Sequence, residues 1–311
     1  MTYSLPSPDQ TFKIGTRGSP LALWQAHEVR RCLRLAFDLP EAAFEIVVIK
    51  VTGDLVQDRA LKEIGGKGLF TREIEEALLD GSIDIAVHSM KDMPVLQPEG
   101  LLLDCYLERA DVRDGFVSLH ANGIADLAQG AVVGSSSLRR RAQLAHRRAD
   151  LQLVEFRGNV QTRMKKLGDG VADATFLAMA GVTRLGMAEV ARPIEVSEML
   201  PAVAQGAIGI ERRVQDARAK AMLDAIHHTA TGQQLAAERA FLARLDGSCE
   251  TPIAGLAVIE ADQLWLRGEI LRPDGSRVIT GEIRGAVADG AALGEALADQ
   301  LLTEAGAGFF D

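Results

Sequence analysis

At 311 residues, 47% of them hydrophobic, the chain exceeds one ordinary core and suits two or three domains. A net charge of -9 argues against a nucleic-acid partner, and no window approaches the roughly 18 apolar residues of a membrane span. The opening "MTYSLPSPDQ" lacks a basic flank and apolar stretch, so the cytoplasm is the expected compartment, and three widely spaced cysteines suit neither a disulfide framework nor a CxxC metal site.

"TFKIGT" reads as a strand, and "SPLALWQAHEVRRCLRLAF" as a helix with Ser19 as N-cap, Pro20 at its first position and Ala22, Ala26, Val29 and Leu33 on one face. A strand "FEIVVIKV", a glycine-interrupted "GDLVQDRALKEIGGKG", a helix "LFTREIEEALLD" and a strand in "DIAVHSMKDMPV" follow. That βαβαβ order predicts a parallel sheet. A second series alternates "AVVG", "LQLVEF" and "DATFLA" with helices "SLRRRAQLAHRR", "NVQTRMKKLG" and "MAGVTRLG". "LPAVAQGAIGIE" reads as a connector and strand, and "QQLAAERAFLARL" as a helix. The tail "GLAVIEADQLWLRGEILRPDGSRVITGEIRG" alternates around a Pro-Asp-Gly turn, as antiparallel strands do, before a last helix.

Polar residues collect where strands end. His88, Ser89, Lys91 and Asp92 crowd a strand's carboxyl end before Pro94. Arg17 lies between strand and helix, Arg139 and Arg140 open the helix after "GSSS", Arg157 precedes a helix, and Arg184 ends "AMAGVTR". Helix N-termini at such places present free amides and a positive dipole end to anions. Between Gly134 and Lys166, seven arginines and two lysines face only Asp150 and Glu155, which suits an anionic ligand or a solvated basic face. Arg141, Arg147 and Arg148, further along the helix, are expected to be solvated. "IGGKGLF" lacks P-loop spacing and reads as a lid carrying Lys67 or as an ordinary turn. Cys249 stands on a loop, "LDGSCETPIAG", whereas Cys32 and Cys105 read as buried small hydrophobes. A solute-binding module with two α/β domains and no catalysis also fits these features, although Cys249 and Asp92 have no task in it.

"GTRGSPLALWQAHEV", "GGKGLFTREIEEALLDGSIDIAVHSMKDMP", "GSSSLRR", "FRGNVQTR", "AGVTRLG", "LPAVAQGAIGIE" and "DGSCETPIAG", in that order, resemble the hydroxymethylbilane synthase, or porphobilinogen deaminase, family. The resemblance runs from about Lys13 to Gly255; Ser248, where many relatives have Gly, and Glu63, where some have Lys, depart from it. It implies two doubly wound α/β domains like those of type II periplasmic binding proteins, at 11–107 plus 201–226 and at 108–200. A small α+β domain with a three-stranded antiparallel sheet, at 230–311, would follow. It implies a monomeric transferase that condenses four porphobilinogen units head to tail, with loss of ammonia, on a dipyrromethane primer held by a cysteine thioether. No nucleic acid, membrane or metal takes part. Cys249 matches the anchor, and Asp92 the carboxylate that stabilises positive charge on the pyrrole nitrogen. Lys91, Asp92, Ser137, Arg139 and Arg140 would then hold the cofactor, and Arg17, Ser19, Gln25, Lys67, Arg157, Arg163 and Arg184 the incoming unit and lengthening chain.

Overall fold

A computed structural model describes residues 3–51, 71–247 and 251–310. The chain divides into two compact units, Met1–Arg109 with Ala207–Gly232, and Ala110–Gly206 with Gln233–Asp311. The expected lid with Glu63 and Lys67, and the Ser248–Cys249 pair, lie outside the described residues.

In the first unit five strands run in the order Phe44–Ile49, Phe12–Arg17, Ile85–Ser89, Ile208–Arg213, Leu101–Tyr106. The first three are parallel, but Ile208–Arg213 is antiparallel to both of its neighbours. The three strands of the βαβαβ series are parallel as expected, and the sheet as a whole is mixed because of the return strand. Its return strand enters between Ile85–Ser89 and Leu101–Tyr106 from a point about a hundred residues later in the chain, and an apolar run carries no sign of its direction. The helix Pro20–Phe37 starts as expected, with the Ser19 hydroxyl accepting from the Ala22 N–H at 3.3 Å. It buries Gln25, Ala26, Val29 and Leu33 against a core that includes Phe12, Ile14, Val87, Ile210 and Leu223. Cys105 is buried in that core, its thiol donating to the Leu223 carbonyl. Cys32 is only half-buried, packed at the edge of the same core one turn from Glu28.

In the second unit another five-stranded sheet runs Gln152–Val154, Val132–Gly134, Ala174–Ala178, Asp114–Ser118, Arg192–Pro193. Here too the first three are parallel and Asp114–Ser118 is antiparallel to its neighbours. Helices Leu138–Arg147, Val160–Gly168 and Met179–Arg184 each follow a strand. The tail folds as the predicted antiparallel meander, Ile253–Glu260, Gln263–Leu271 and Val278–Ala286, with Phe241, Leu297 and Leu301 from helices Thr229–Arg244 and Gly290–Ala305 packed on one face. Gly268 and Gly281 are cross-strand partners whose missing side chains let that layer close in: a Cβ would meet Phe241 at 2.6 Å and Leu301 at 2.8 Å respectively. Among the described residues no helix is long and apolar enough to cross a membrane.

Candidate active site

In the first unit a short 3-10 turn, Met90–Asp92, continues directly from the strand Ile85–Ser89. Met90 is buried, its N–H donates to the Ala207 carbonyl at 3.1 Å, and Met93 N–H closes the turn on Met90 O at 3.2 Å. Gly209 makes room for it, since a Cβ there would run into the Met90 sulfur. Two buried methionines thus clamp the turn and leave Lys91 and Asp92 exposed between them. Asp92 lines a cavity of about 80 Å³ with Arg17, Ser19, Gln25 and Ser89. The Gln25 amide is buried and fixed twice: its Nε2 donates to Ser89 Oγ at 2.8 Å, and that hydroxyl donates back to Oε1 at 3.1 Å. His88 lines the same cavity but is buried, with Nε2 3.1 Å from the buried Glu211 carboxylate.

The second unit carries the arginines. "GSSS" forms a loop in which Ser135 accepts from the Ser137 N–H and Ser137 caps the helix Leu138–Arg147 by accepting from the Arg140 N–H at 3.4 Å. Arg139 and Arg140 then point inward, only 4% and 7% exposed, onto Asp114, which is 0% exposed. Arg140 donates to Asp114 Oδ1 through Nη2 at 2.6 Å and Nε at 3.0 Å, and Arg139 Nη1 lies 2.8 Å from Oδ2. Gln205 Nε2 adds a bond to Oδ1 at 3.1 Å. Burial alone would raise the Asp114 carboxyl, but the two guanidiniums overcome it and hold the group well below the usual carboxylate range. Arg163 donates to the Phe176 carbonyl at 3.1 Å, the same oxygen that Arg140 Nη1 meets at 3.0 Å. Burial, and then the like charge of Arg140, pull its guanidinium down to about 10. Two buried guanidiniums therefore share the Asp114 carboxylate at a helix N-terminus, and Arg163 stands beside Arg140 on the Phe176 carbonyl. A ligand with carboxylates fits such a surplus, whereas a cation does not.

Around this cluster, Arg157 is tied to Glu155 at 2.9 Å, and Arg184 donates to the Gly206 carbonyl at 2.7 Å. The structure thus brings Arg17, Ser19, Gln25 and Asp92 together in one unit, and Ser137, Arg139, Arg140 and Arg163 in the other. Arg147 is exposed as expected and lies 3.7 Å from Glu269, whereas Arg141 and Arg148 are half-buried: Arg148 is held by Asp150 and by the Ile124 and Leu127 carbonyls, and Arg141 lies 3.6 Å from Glu155. Sequence reasoning missed Asp114 and Gln205. A lone aspartate in "RDGFV" carries no motif, and its arginines stand 25 residues further on.

The family model described as "Porphobilinogen deaminase, dipyromethane cofactor binding domain" matches residues 12–221, and "Porphobilinogen deaminase, C-terminal domain" matches 233–303. The chain belongs to the porphobilinogen deaminase family. The porphobilinogen deaminase of Paracoccus denitrificans strain Pd 1222 is 68% identical over 308 residues, 99% of this chain and 98% of that protein. Among solved structures, the chain is similar to a probable amino-acid transporter extracellular-binding protein of Bacillus subtilis, at 14% identity and a TM-score of 0.41, covering 73% of this chain and 96% of that one. The periplasmic aliphatic sulphonate binding protein SsuA of Escherichia coli matches at 15% identity and a TM-score of 0.41, covering 75% and 70%.

Proposed function

We propose that this chain is a hydroxymethylbilane synthase, a transferase that joins four porphobilinogen units head to tail with loss of ammonia and releases the linear product by hydrolysis. The observation that carries the reading within this family is an exposed carboxylate, Asp92, held by a clamped turn at a cavity shared with Arg17 and Gln25. Expelling ammonia from the substrate's aminomethyl group leaves positive charge shared with the pyrrole nitrogen. Asp92 accepts a hydrogen bond from that N–H. Charge-assisted bonds are worth about 1.5–3 kcal/mol in ordinary settings, and more where water is excluded and charge develops only in the transition state. Asp92 then accepts the proton released from the pyrrole carbon after coupling.

The dipyrromethane, when bound through Cys249, supplies the pyrrole position to which the first unit is joined. Lys91, Ser137, Arg139 and Arg140 hold its carboxylates, the arginines being oriented by Asp114 and supplying charge-assisted N–H donors. Arg17, Ser19, Arg157, Arg163 and Arg184 grip the acetate and propionate groups of incoming and later units, with Gln25 and Lys67 nearby. The proposal includes a three-domain division at 11–107 plus 201–226, 108–200 and 230–311, and a cytoplasmic monomer acting on small molecules without nucleic acid or membrane. Incubation of the purified protein with porphobilinogen tests it. Release of one ammonia per unit consumed supports the reading, and binding of porphobilinogen with no ammonia release favours a solute-binding module and contradicts it.

A further inference from the structure

The open face of the C-terminal sheet carries a second cavity, of about 400 Å³, within the usual span of roughly 300–1,000 Å³ for small-molecule sites. Arg147, Leu200 and the strand residues Arg267, Glu269 and Glu282 line it, and the tetrapyrrole chemistry above uses none of them. Glu269 is satisfied: it accepts from Gln143 Nε2 at 2.7 Å and faces Arg147 at 3.7 Å. Arg267 and Glu282 are directly opposite each other in the strand register, where opposite charges ordinarily pair. Among the described residues no ion pair joins them. Glu282 Oε2 accepts instead from Trp265 Nε1 at 3.1 Å. Arg267 stacks over the Trp265 ring at 4.3 Å, and its buried Nε has no hydrogen-bond partner.

One cation and one carboxylate are thus left side by side at a cavity with Val196 and Leu200 as its apolar wall. We propose that this cavity binds a small zwitterion of the α-amino acid class, with its carboxylate on Arg267, its ammonium on Glu282 and its side chain against Leu200 and Val196. A dianion would face Glu269 and Glu282 together, and a simple cation would face Arg147 and Arg267; only a ligand carrying both charges satisfies both leftover groups. Burial depresses the Arg267 guanidinium, with Glu282 and Glu260 opposing it, so a carboxylate placed there also relieves an under-compensated cation.

Calorimetric titration of the purified full-length protein tests this, with leucine as the probe. Saturable one-site binding of leucine is expected. Binding of 4-methylpentanoate, which lacks the ammonium, and of 3-methylbutylamine, which lacks the carboxylate, should be weaker by about tenfold or more. Arg267→Gln and Glu282→Gln should each weaken leucine binding by about tenfold or more while leaving porphobilinogen turnover and the melting temperature at wild-type values. Absence of saturable leucine binding, equal affinity for the three compounds, or leucine affinity unchanged in both variants would overturn the proposal.

Discussion

Asp92 lies in the turn that follows a strand in the first unit and Asp114 begins a strand in the second, yet the two carboxylates are held in opposite ways. Asp92 is exposed, and its position comes from a turn clamped by Met90 and Met93. Asp114 is fully buried and bound by three side chains, Arg139, Arg140 and Gln205. The role proposed for Asp92, meeting a new substrate at every cycle, calls for a reachable carboxylate. A group that organises cations must do the reverse, because a carboxylate locked between two guanidiniums is no base. The first unit holds its carboxylate in a backbone-defined turn, and the second holds its own in an ion-paired core.

Removing Asp114 is the strongest way to break that contrast. Asp114→Ala leaves two guanidiniums buried without their counter-charge, so denaturant unfolding should show a loss of about 3–5 kcal/mol; a loss under about 1 kcal/mol would mean that Asp114 does not organise the cluster. Asp92→Ala should do the opposite. Turnover should fall by about 10²–10³ with no change in unfolding midpoint, and Asp92→Glu, with a displaced carboxylate, should retain part of the activity. Equal activity in the two Asp92 variants would remove that residue from the chemistry.

The arginines sharpen the comparison by stage. Arg139→Leu or Arg140→Leu should yield protein poor in dipyrromethane, whereas Leu at Arg17, Arg157 or Arg184 should leave the cofactor attached and trap partial chains, seen as mass ladders spaced by one pyrrole unit. Five identical cofactor-free proteins would reduce the basic residues to general attraction of anions. The smallest effect is in pH dependence. The Asp114 ionisation is held below its ordinary value in the folded state, so its contribution is complete above the unfolded value of about 3.9 and is lost as pH falls through the lower folded value. Between pH 5 and 8 this group should therefore add no slope to stability, and Asp114→Asn should flatten the decline below about pH 4 relative to wild type.

Much of this was legible in the sequence, for identifiable reasons. Ser19 followed by Pro20 marks a helix start through local hydrogen bonding alone, and the alternation around Pro-Asp-Gly in the tail marks the meander, because both signals depend on near neighbours. The placement of Arg139 and Arg140 at a helix start followed from "GSSS" in the same way. Strand direction was not legible: Ile208–Arg213 has the apolar run of any buried strand, and only its pairing partners, far away in sequence, make it antiparallel. Nor was the inward turn of those two arginines, since nothing local links them to Asp114. The pairing of His88 with Glu211 was not legible either, since the two stand on different strands far apart in sequence.

The proposed chemistry requires the chain to carry a dipyrromethane primer on Cys249 and to extend it. Intact mass spectrometry of the purified protein, before and after limited porphobilinogen, tests it most directly. Wild type should exceed the chain mass by one dipyrromethane and then show a ladder of added pyrrole units, whereas Cys249→Ala should show the bare chain and no ladder, with Cys32→Ala and Cys105→Ala like wild type. A bare wild-type chain that forms no adduct, or an adduct that survives in Cys249→Ala, would contradict the account.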